Sequence, residues 1–275
     1  MEEQVTSPQP SPLEREHHKG MNPDSFIYWG NEFPLPVLIA SHKRASKITT
    51  HKKVANSIIC IPESQLGEYR EYCPDTEIVT HPDSVIGLSW KRQWMYEHFG
   101  SAFHLDDDLL YMKRIYTETG EAEKCTPQEI WNVIQATALA AREAGAYLFG
   151  FNTSGKPFTY AAMQPIQMSG YVNTCAFGLL TGSKLYFRPE QRYQEDYWIC
   201  GLNAYLNRTI WRDNRYYFHY GDTWTGAGGL AEFRNMETLE AILKDLQGLF
   251  GEDVICVRKT GTMNHKFQMN FKVPF

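Results

Sequence analysis

Residues 102–115, AFHLDDDLLYMKRI, place three consecutive aspartates, Asp106, Asp107 and Asp108, at the end of an apolar run. Neighbouring like charges repel one another, so this cluster is unfavourable unless a cation shares it. An Asp-x-Asp pattern offers hard oxygen ligands to Mg²⁺ or Mn²⁺ and leaves part of the metal's coordination free for the phosphates of a substrate. For the tripeptide alone, the alternative is a solvated acidic turn that caps the next element.

Apolar runs alternate with polar, helix-like segments up to this stretch. The runs that predict strands are PLPVLIAS (34–41), SIICIP (57–62), EIVTH (77–81) and SAFHL (101–105). GLSWKRQWMYEHFG (87–100) predicts an amphipathic helix that ends at Gly100. This order predicts an α/β fold with a mainly parallel sheet flanked by helices. Because ligands bind outside the carboxyl ends of strands in such sheets, we expect the aspartates at a binding edge.

The second half of the chain continues with helices and strands. TPQEIWNVIQATALAAREAG (126–145) predicts a long helix, because Thr126 suits the N-cap, Pro127 the first helical position and Glu129 the third. Strands are predicted at AYLFGFN (146–152) and GYVNTCAFGLLTG (170–182), and helices at QEDYWICGLNAYLNR (194–208) and METLEAILKDLQGLFG (236–251). Since no internal linker or fixed repeat is found, residues 26–275 are predicted to form one domain after a flexible tail over 1–25.

The composition is typical of a soluble globular protein, with 43% hydrophobic and 21% charged residues among 275. The 27 Lys and Arg against 32 Asp and Glu give a net charge of −5, so the chain lacks the global basic bias of many nucleic-acid binders. Any contact with DNA would therefore come from a local patch. The basic residues that cluster in this way are Lys43, Arg44, Lys47, Lys52 and Lys53, and further on Arg208, Arg212 and Arg215.

The cysteines and the apolar segments bear on the cellular compartment. Six cysteines stand far apart without a C-x-x-C pair, which argues against a zinc ribbon or a dense disulfide framework. No apolar stretch approaches the roughly 20 residues that span a bilayer, and the acidic N-terminus lacks the apolar core of a secretory signal. We therefore predict a reduced cytoplasmic protein without a membrane contact.

From about residue 34 to residue 270, the order of elements resembles that of nucleotide-sugar glycosyltransferases of the GT-A fold. The resemblance implies that about 34–110 form the nucleotide-sugar half and about 111–275 the acceptor half. The first strand and its loop, VLIASHKR (37–44), would hold the nucleobase side of the donor through Ser41, Lys43 and Arg44. Lys91 and Arg92, in SWKRQW, would also contact the donor.

In the same family the acidic motif binds both donor and metal. By that resemblance, Asp106 and Asp107 would bind the donor. Asp106 and Asp108, together with the late His265 in GTMNHKF, would bind Mn²⁺ or Mg²⁺. His219 is the second candidate for the histidine ligand, and a lone histidine is otherwise structural or merely exposed.

An acidic pair in RYQEDYWICG, Glu195 and Asp196, resembles the acceptor-side carboxylates of this family. A carboxylate in that place can take the proton of the acceptor hydroxyl as a general base. Both residues also fit a first helical turn, where the helix dipole favours negative charge. A retaining enzyme needs no such base, and the sequence leaves inversion and retention open.

Three stretches are similar to phage glycosyltransferases associated with TET/JBP-type base hydroxylases, namely HLDDDL (104–109), QEDYWICGLNAYLNR (194–208) and VRKTGTMNHKF (257–267). This similarity implies a UDP-sugar donor and a 5-hydroxymethylpyrimidine of phage DNA, such as hydroxymethylcytosine, as the acceptor. The cytoplasm would then be that of an infected bacterium. A glycan or a small molecule is the alternative acceptor.

Three other functions share parts of the pattern. A haloacid-dehalogenase-type phosphohydrolase has Asp-x-Asp after its first strand and Thr or Val where this chain has Leu110, whereas three strand units precede the aspartates here. A sugar-nucleotide pyrophosphorylase carries a glycine-rich loop after the first strand, which IASHKRASK (39–47) lacks. A non-enzymatic module holding a structural Ca²⁺ is the third alternative, and the sequence contains no EF-hand spacing.

Overall fold

A computed structural model describes residues 33–115, 122–157, 160–191, 194–221, 236–258 and 268–271. The strands are β1 Val37–Ala40, β2 Ser57–Pro62, β3 Glu77–His81, β4 Ala102–Asp106, β5 Leu109–Arg114, β6 Glu123–Lys124, β7 Leu148–Phe151, β8 Ile166–Gln167, β9 Ala176–Leu179, β10 Ile210–Asp213, β11 Tyr216–Tyr220, β12 Ile255–Arg258 and β13 Gln268–Phe271. The α-helices are α1 Leu66–Tyr72, α2 Leu88–Phe99, α3 Pro127–Glu143, α4 Glu195–Leu206 and α5 Met236–Phe250. Two short 3₁₀ helices span Thr50–Lys52 and Glu63–Gln65.

Eight strands form one sheet in the order β3-β2-β1-β4-β9-β7-β10-β8. β1 pairs in parallel with β2 and β4, β2 with β3, and β10 with β7. β9 runs antiparallel between β4 and β7, and β8 runs antiparallel to β10. The predicted α/β fold with a mainly parallel sheet is therefore confirmed. The reversal of β9 was not predicted, because the direction of a strand depends on the path of its connections and not on its composition.

The chain order reverses beside β1, and this reversal positions the site. β2 and β3 lie on one side of β1, and the chain then returns through α2 and adds β4 on the other side. Residues that follow β1 and β4 therefore meet at the carboxyl edge of the sheet, where open α/β sheets bind ligands. Ser41 directly follows β1, and Asp107 directly follows β4.

Helices cover both faces of the sheet. Successive residues of one strand therefore pack into two different cores, one on each face. In β1, Ile39 packs with Ile134 of α3, whereas Leu38 packs with Met95 of α2. A further core contains Trp198 of α4 together with residues of α5, β7 and β9. Burying each such aliphatic side chain contributes roughly 1.5–3 kcal/mol, so these cores hold the helices that carry site residues in place.

The predicted ends of two helices are confirmed. At the start of α3, the Thr126 hydroxyl accepts a hydrogen bond from the Glu129 amide at 3.3 Å, and the Glu129 carboxylate accepts one from the Thr126 amide at 2.8 Å. This reciprocal pair is the capping box expected from the sequence. α2 ends at Gly100, whose φ of 68° lies in the left-handed region that glycine adopts without strain.

Two smaller sheets complete the described structure. β11, β5 and β6 form an antiparallel sheet, in which Met112 and Phe218 turn one face toward the core beneath α3. β12 and β13 pair as an antiparallel hairpin. Within the described ranges, none of the helices combines the length and apolar character that crossing a membrane requires.

Candidate functional site

The middle aspartate of the triplet faces the protein interior. The Asp107 side chain is 6% exposed, and its carboxylate pairs with Arg44 Nη1 at 2.8 Å and accepts a hydrogen bond from Ser41 Oγ at 2.5 Å. Ser41 Oγ also lies 2.6 Å from the Tyr69 hydroxyl. Burial raises the pKa of Asp107, while the hydrogen bond from Ser41 and the charge of Arg44 oppose that shift. The loop after β1 thus grips the Asp107 side chain.

Backbone hydrogen bonds fasten the same loop to the turn that carries the aspartates. The amides of Thr49 and Thr50 donate to the Asp107 carbonyl at 3.0 and 3.4 Å. The Thr50 hydroxyl donates to the Asp106 carbonyl at 2.7 Å and accepts from the Leu109 amide at 2.9 Å. Because Thr50 is fully buried, water cannot replace these partners, so segments 41–50 and 106–109 form one unit.

Arg92 of α2 joins the first aspartate to the second half of the chain. Its side chain is 1% exposed. Nη2 donates to Asp106 Oδ1 and to the Thr174 carbonyl, both at 2.8 Å, and Nη1 donates to Glu195 Oε1 at 2.5 Å. A buried guanidinium is favourable only when carboxylates and carbonyls engage it in this way. The prediction that Arg92 contacts the donor directly stays a prediction.

Asp106 lies among one positive and two negative side chains. Although 28% of the side chain is exposed, protein surrounds the carboxyl group, and burial raises its pKa to about 7. The charge of Arg92 opposes this shift, and the charges of Asp108 and Glu195 contribute to it. A cation shared between these carboxylates would relieve the repulsion.

Asp108 is the most exposed member of the triplet. Its side chain is 37% exposed, and Oδ2 lies 3.4 Å from Arg44 Nη1. Asp106 and Asp108 are therefore both partly exposed at the carboxyl edge of the sheet. In the described part of the chain, no group of three or more His, Cys, Asp or Glu side chains is placed to hold a metal ion. The two aspartates fit a metal site whose remaining ligands come from phosphate and water.

Lys91 supports the site from the interior side of β1. Its side chain is buried, and Nζ donates to the Ser41 carbonyl. Burial lowers the pKa of Lys91 to about 8, an effect that the neighbouring Cys60 and Asp107 partly offset. In this arrangement Lys91 holds the end of β1, and its predicted contact with the donor stays a prediction.

The two acidic residues at the start of α4 have different surroundings. Glu195 is 8% exposed, is bound to Arg92 and receives the Thr174 hydroxyl at 3.3 Å. Asp196 is half-buried and accepts a hydrogen bond from the Tyr171 hydroxyl. Burial, and then the charge of Glu195, raise the pKa of Asp196 to about 6. Asp196 is thus a carboxylate that can take up a proton near neutral pH.

The contacts above connect most of the predicted site residues that the structure describes, and Lys43 and His219 take no part in them. Lys43 is exposed, and its amide donates to Gln65 Oε1 at 2.8 Å. His219 belongs to β11, where its ring centroid lies 4.7 Å from that of Tyr111. His265 lies outside the described residues.

Sequence reasoning missed the residues that flank the aspartates on the side of β9. The Cys175 carbonyl accepts the Asp106 amide at 3.0 Å and the Tyr220 hydroxyl at 2.6 Å. These residues reach the site because β9 runs beside β4, a pairing for which the sequence carries no signal.

The residues of the predicted basic clusters differ in whether their side chains contact other parts of the protein. Arg212 donates to the Tyr171 carbonyl at 2.6 Å, and Arg215 pairs with Asp213 at 2.7 Å. These two arginines therefore stabilise the protein itself. Lys52 and Lys53, in contrast, are exposed.

The chain matches a protein-family model and resembles solved structures. A family model described as "TET-Associated Glycosyltransferase" matches residues 35–229. Among solved structures, the crystal structure of S. aureus TarS 1–349 matches with a TM-score of 0.43 and 10% identity, covering 78% of this chain and 65% of that one. A second S. aureus TarS structure matches with a TM-score of 0.41 and 12% identity, covering 78% of this chain and 39% of that one. The chain thus spans less than two thirds of the length of either TarS chain. No curated protein sequence matches.

Proposed function

The chain belongs to the TET-associated glycosyltransferase family, and from this premise we propose that it transfers a sugar from a UDP-sugar to a 5-hydroxymethylpyrimidine of phage DNA, such as hydroxymethylcytosine. Membership of the family makes the chain a glycosyltransferase, which uses a nucleotide-sugar donor and an acceptor. It decides against the phosphohydrolase, the pyrophosphorylase and the non-enzymatic module that the sequence left open.

One observation carries the assignment of the site. Two sets of carboxylates, one after β4 and one at the start of α4, meet at the buried guanidinium of Arg92. The first set suits a donor diphosphate with its cation, and the second suits an acceptor hydroxyl. Because a transferase must hold donor and acceptor next to each other, this juxtaposition supports the proposal.

Asp106 and Asp108 are the residues that would hold Mn²⁺ or Mg²⁺, with His265 as a further ligand. Burial, and to a smaller extent the charges of Asp108 and Glu195, raise the pKa of Asp106, and a bound cation would favour its ionised form. Such a cation would neutralise the charge that develops on the leaving diphosphate. Arg44, paired with Asp107 and Asp108, lies where it can add a positive charge on the donor side.

In an inverting reaction, Asp196 takes the proton of the acceptor hydroxyl. The acceptor oxygen then bonds to the anomeric carbon, and the bond from that carbon to the diphosphate breaks, leaving the electron pair on the nucleoside diphosphate. Glu195 is ion-paired with Arg92, so it serves as the positioning partner of the pair. A retaining reaction would leave Asp196 without this role.

The test uses purified protein, Mn²⁺, a mixture of nucleotide sugars, and matched DNAs with hydroxymethylated or ordinary pyrimidines. We expect mass spectrometry of the digested DNA to find a hexose or pentose on the hydroxymethylated base alone. Metal-dependent release of UDP without any adduct would contradict the DNA acceptor and leave a glycan or small molecule. Equal modification of ordinary pyrimidines would contradict the hydroxymethyl group as acceptor.

A further inference from the structure

The small sheet of β11, β5 and β6 presents a basic and aromatic face on the side away from the core. Met112 and Phe218 are paired across β5 and β11 and point into the core. Because side chains alternate along a strand, their neighbours point the other way. We call the residues of this outer surface the basic–aromatic face: Tyr111, Lys113, Lys124, Tyr217 and His219.

The two lysines of this face lie in an unfavourable arrangement. Lys113 and Lys124 are directly opposite each other across β5 and β6. Like charges in that position destabilise a sheet unless an anion lies between them. Neither lysine forms an ion pair with a carboxylate in the described part of the chain. The acidic residue of β6, Glu123, is paired with Arg114 and therefore points to the opposite side.

Aromatic rings hold both ammonium groups at the surface. Lys124 Nζ lies 4.6 Å from the centroid of the Tyr111 ring, and Lys113 Nζ lies 6.0 Å from that of Tyr217. His219 packs between the two tyrosines, with ring centroids 4.7 Å from Tyr111 and 5.9 Å from Tyr217. Cations set among rings suit a ligand that carries both anionic groups and flat bases.

The face is continuous with the carboxylate site. β5 begins one residue after Asp108. At the end of β11, the Tyr220 hydroxyl donates to the Cys175 carbonyl, which also accepts the Asp106 amide. At its other end the face is bordered by the backbone of Gly155, where a Cβ would lie 2.6 Å from the Tyr217 ring and 3.0 Å from Lys113 Cε. A strand bound on this face would therefore lead directly to the reacting groups.

We propose that the basic–aromatic face binds the DNA strand that carries the acceptor base, with Lys113 and Lys124 on consecutive phosphates. The inference rests on the proposed DNA acceptor. The phosphates supply the anion that the opposed lysines lack, and Tyr111 and Tyr217 contact sugars and bases beside them. The basic segment after β1, including Lys52 and Lys53, is then not the DNA contact.

The experiment measures binding of a fluorescently labelled single-stranded oligonucleotide that contains one hydroxymethylpyrimidine, over a range of salt concentrations. For Lys113→Gln/Lys124→Gln in the full chain we expect about tenfold weaker binding. The slope of log affinity against log salt should fall by about 1.4, since each phosphate contact on a single strand contributes about 0.7. The charge-preserving Lys113→Arg/Lys124→Arg variant should bind as the wild type does.

The matched control, Lys52→Gln/Lys53→Gln, removes the same charge elsewhere and should keep both affinity and slope. Equal losses in the two Gln pairs would mean that only total charge matters, and would overturn the proposal. So would stronger binding of an RNA of the same sequence.

Metal-dependent release of UDP from the donor without acceptor should be unchanged in Lys113→Gln/Lys124→Gln. If Lys113→Gln/Lys124→Gln still modifies DNA with an unchanged KM, the proposal that this face binds DNA is wrong and the proposed function stands. If the wild type neither binds nor modifies DNA, both fail.

Discussion

The Arg92 guanidinium donates to Glu195 Oε1 at 2.5 Å, and it does so in the interior, where 1% of the arginine side chain is exposed. The two residues belong to α2 and to the first turn of α4, so the contact joins the two halves of the chain. The second terminal nitrogen of Arg92 holds Asp106 at 2.8 Å. One buried cation thus joins the carboxylate at the end of β4 to the one at the start of α4.

Replacing Arg92 should therefore affect both stability and turnover. Arg92→Met leaves Glu195 and Asp106 without their cation, and we expect a loss of about 3–5 kcal/mol in the free energy of unfolding. Arg92→Lys keeps the charge but cannot engage two carboxylates with a planar fork, so it should remain folded and lose at least about tenfold in kcat. Urea denaturation and steady-state kinetics measure these effects. Wild-type kcat in Arg92→Lys would contradict the bridging role.

Asp108 should matter for metal and not for folding. Its side chain is 37% exposed, so Asp108→Ala should change the free energy of unfolding by at most about 0.5 kcal/mol. The same change removes one of the three proposed protein ligands of the metal, and we expect metal-stimulated turnover to disappear. Titration of activity with Mn²⁺ and with a chelator measures the effect. Unchanged activity in the folded variant would remove the metal assignment.

Asp107 should behave in the opposite way. Its buried carboxylate binds Ser41 and Arg44, so Asp107→Ala should cost about 2–4 kcal/mol of stability. Circular dichroism during thermal unfolding compares this variant with Asp108→Ala. If the two neighbouring substitutions destabilise the protein equally, the inward orientation of Asp107 is contradicted.

His104 should make the protein less stable in acid. It is buried against the Phe177 ring, with centroids 4.9 Å apart, and neither ring nitrogen has a hydrogen-bond partner among the described residues. Burial lowers the pKa of His104 to about 3. Below its ordinary pKa of 6.5 the unfolded chain takes up this proton and the folded chain does not, so stability falls as the pH drops from 6.5 toward 3.

His104→Phe keeps the ring and removes the titration. The variant should lose less stability than the wild type as pH falls, by up to about 1.4 kcal/mol per pH unit in this window. Urea denaturation at a series of pH values measures the difference. Curves of equal slope for the two proteins would contradict the assignment of acid sensitivity to His104.

The sequence predicted the parts of the site that depend on local patterns. Asp106 to Asp108 follow a buried run, and the capping residue Thr126 starts a helix, because strand burial and helix capping are encoded within a few neighbouring residues. The inward orientation of Asp107 could not be predicted, because it depends on a contact with Ser41 across 66 residues.

The contacts around β9 and at the start of α4 could not be predicted for the same reason. Cys175 contacts Asp106 because β9 is antiparallel beside β4, and Tyr220 contacts Cys175 because β11 pairs with β5. Glu195 and Asp196 are neighbours in an acidic pair, yet their environments differ because one faces Arg92 and the other Tyr171. Long-range pairing of strands and helices decides such differences, and no local pattern records it.

Replacing Asp196 tests its proposed role as the general base. Asp196→Asn should lower kcat by about 10²–10⁴ with little change in donor affinity, whereas Glu195→Gln should act mainly by loosening Arg92. A loss confined to donor affinity would move the pair from catalysis to binding. Because burial raises the pKa of Asp196 to about 6, kcat/KM of the wild type should rise with pH through an acid limb near that value.

The position of that limb can be shifted through Tyr171. Its hydroxyl donates to the Asp196 carboxylate and stabilises the ionised form, so Tyr171→Phe should move the limb to higher pH. Tyr205→Phe is the matched control, because Tyr205 lies on α4, the helix that carries Asp196, and is 65% exposed. The measurement is kcat/KM against pH for the three proteins. A limb that stays in place in Tyr171→Phe would mean that another group titrates, and Asp196 would lose its role as base.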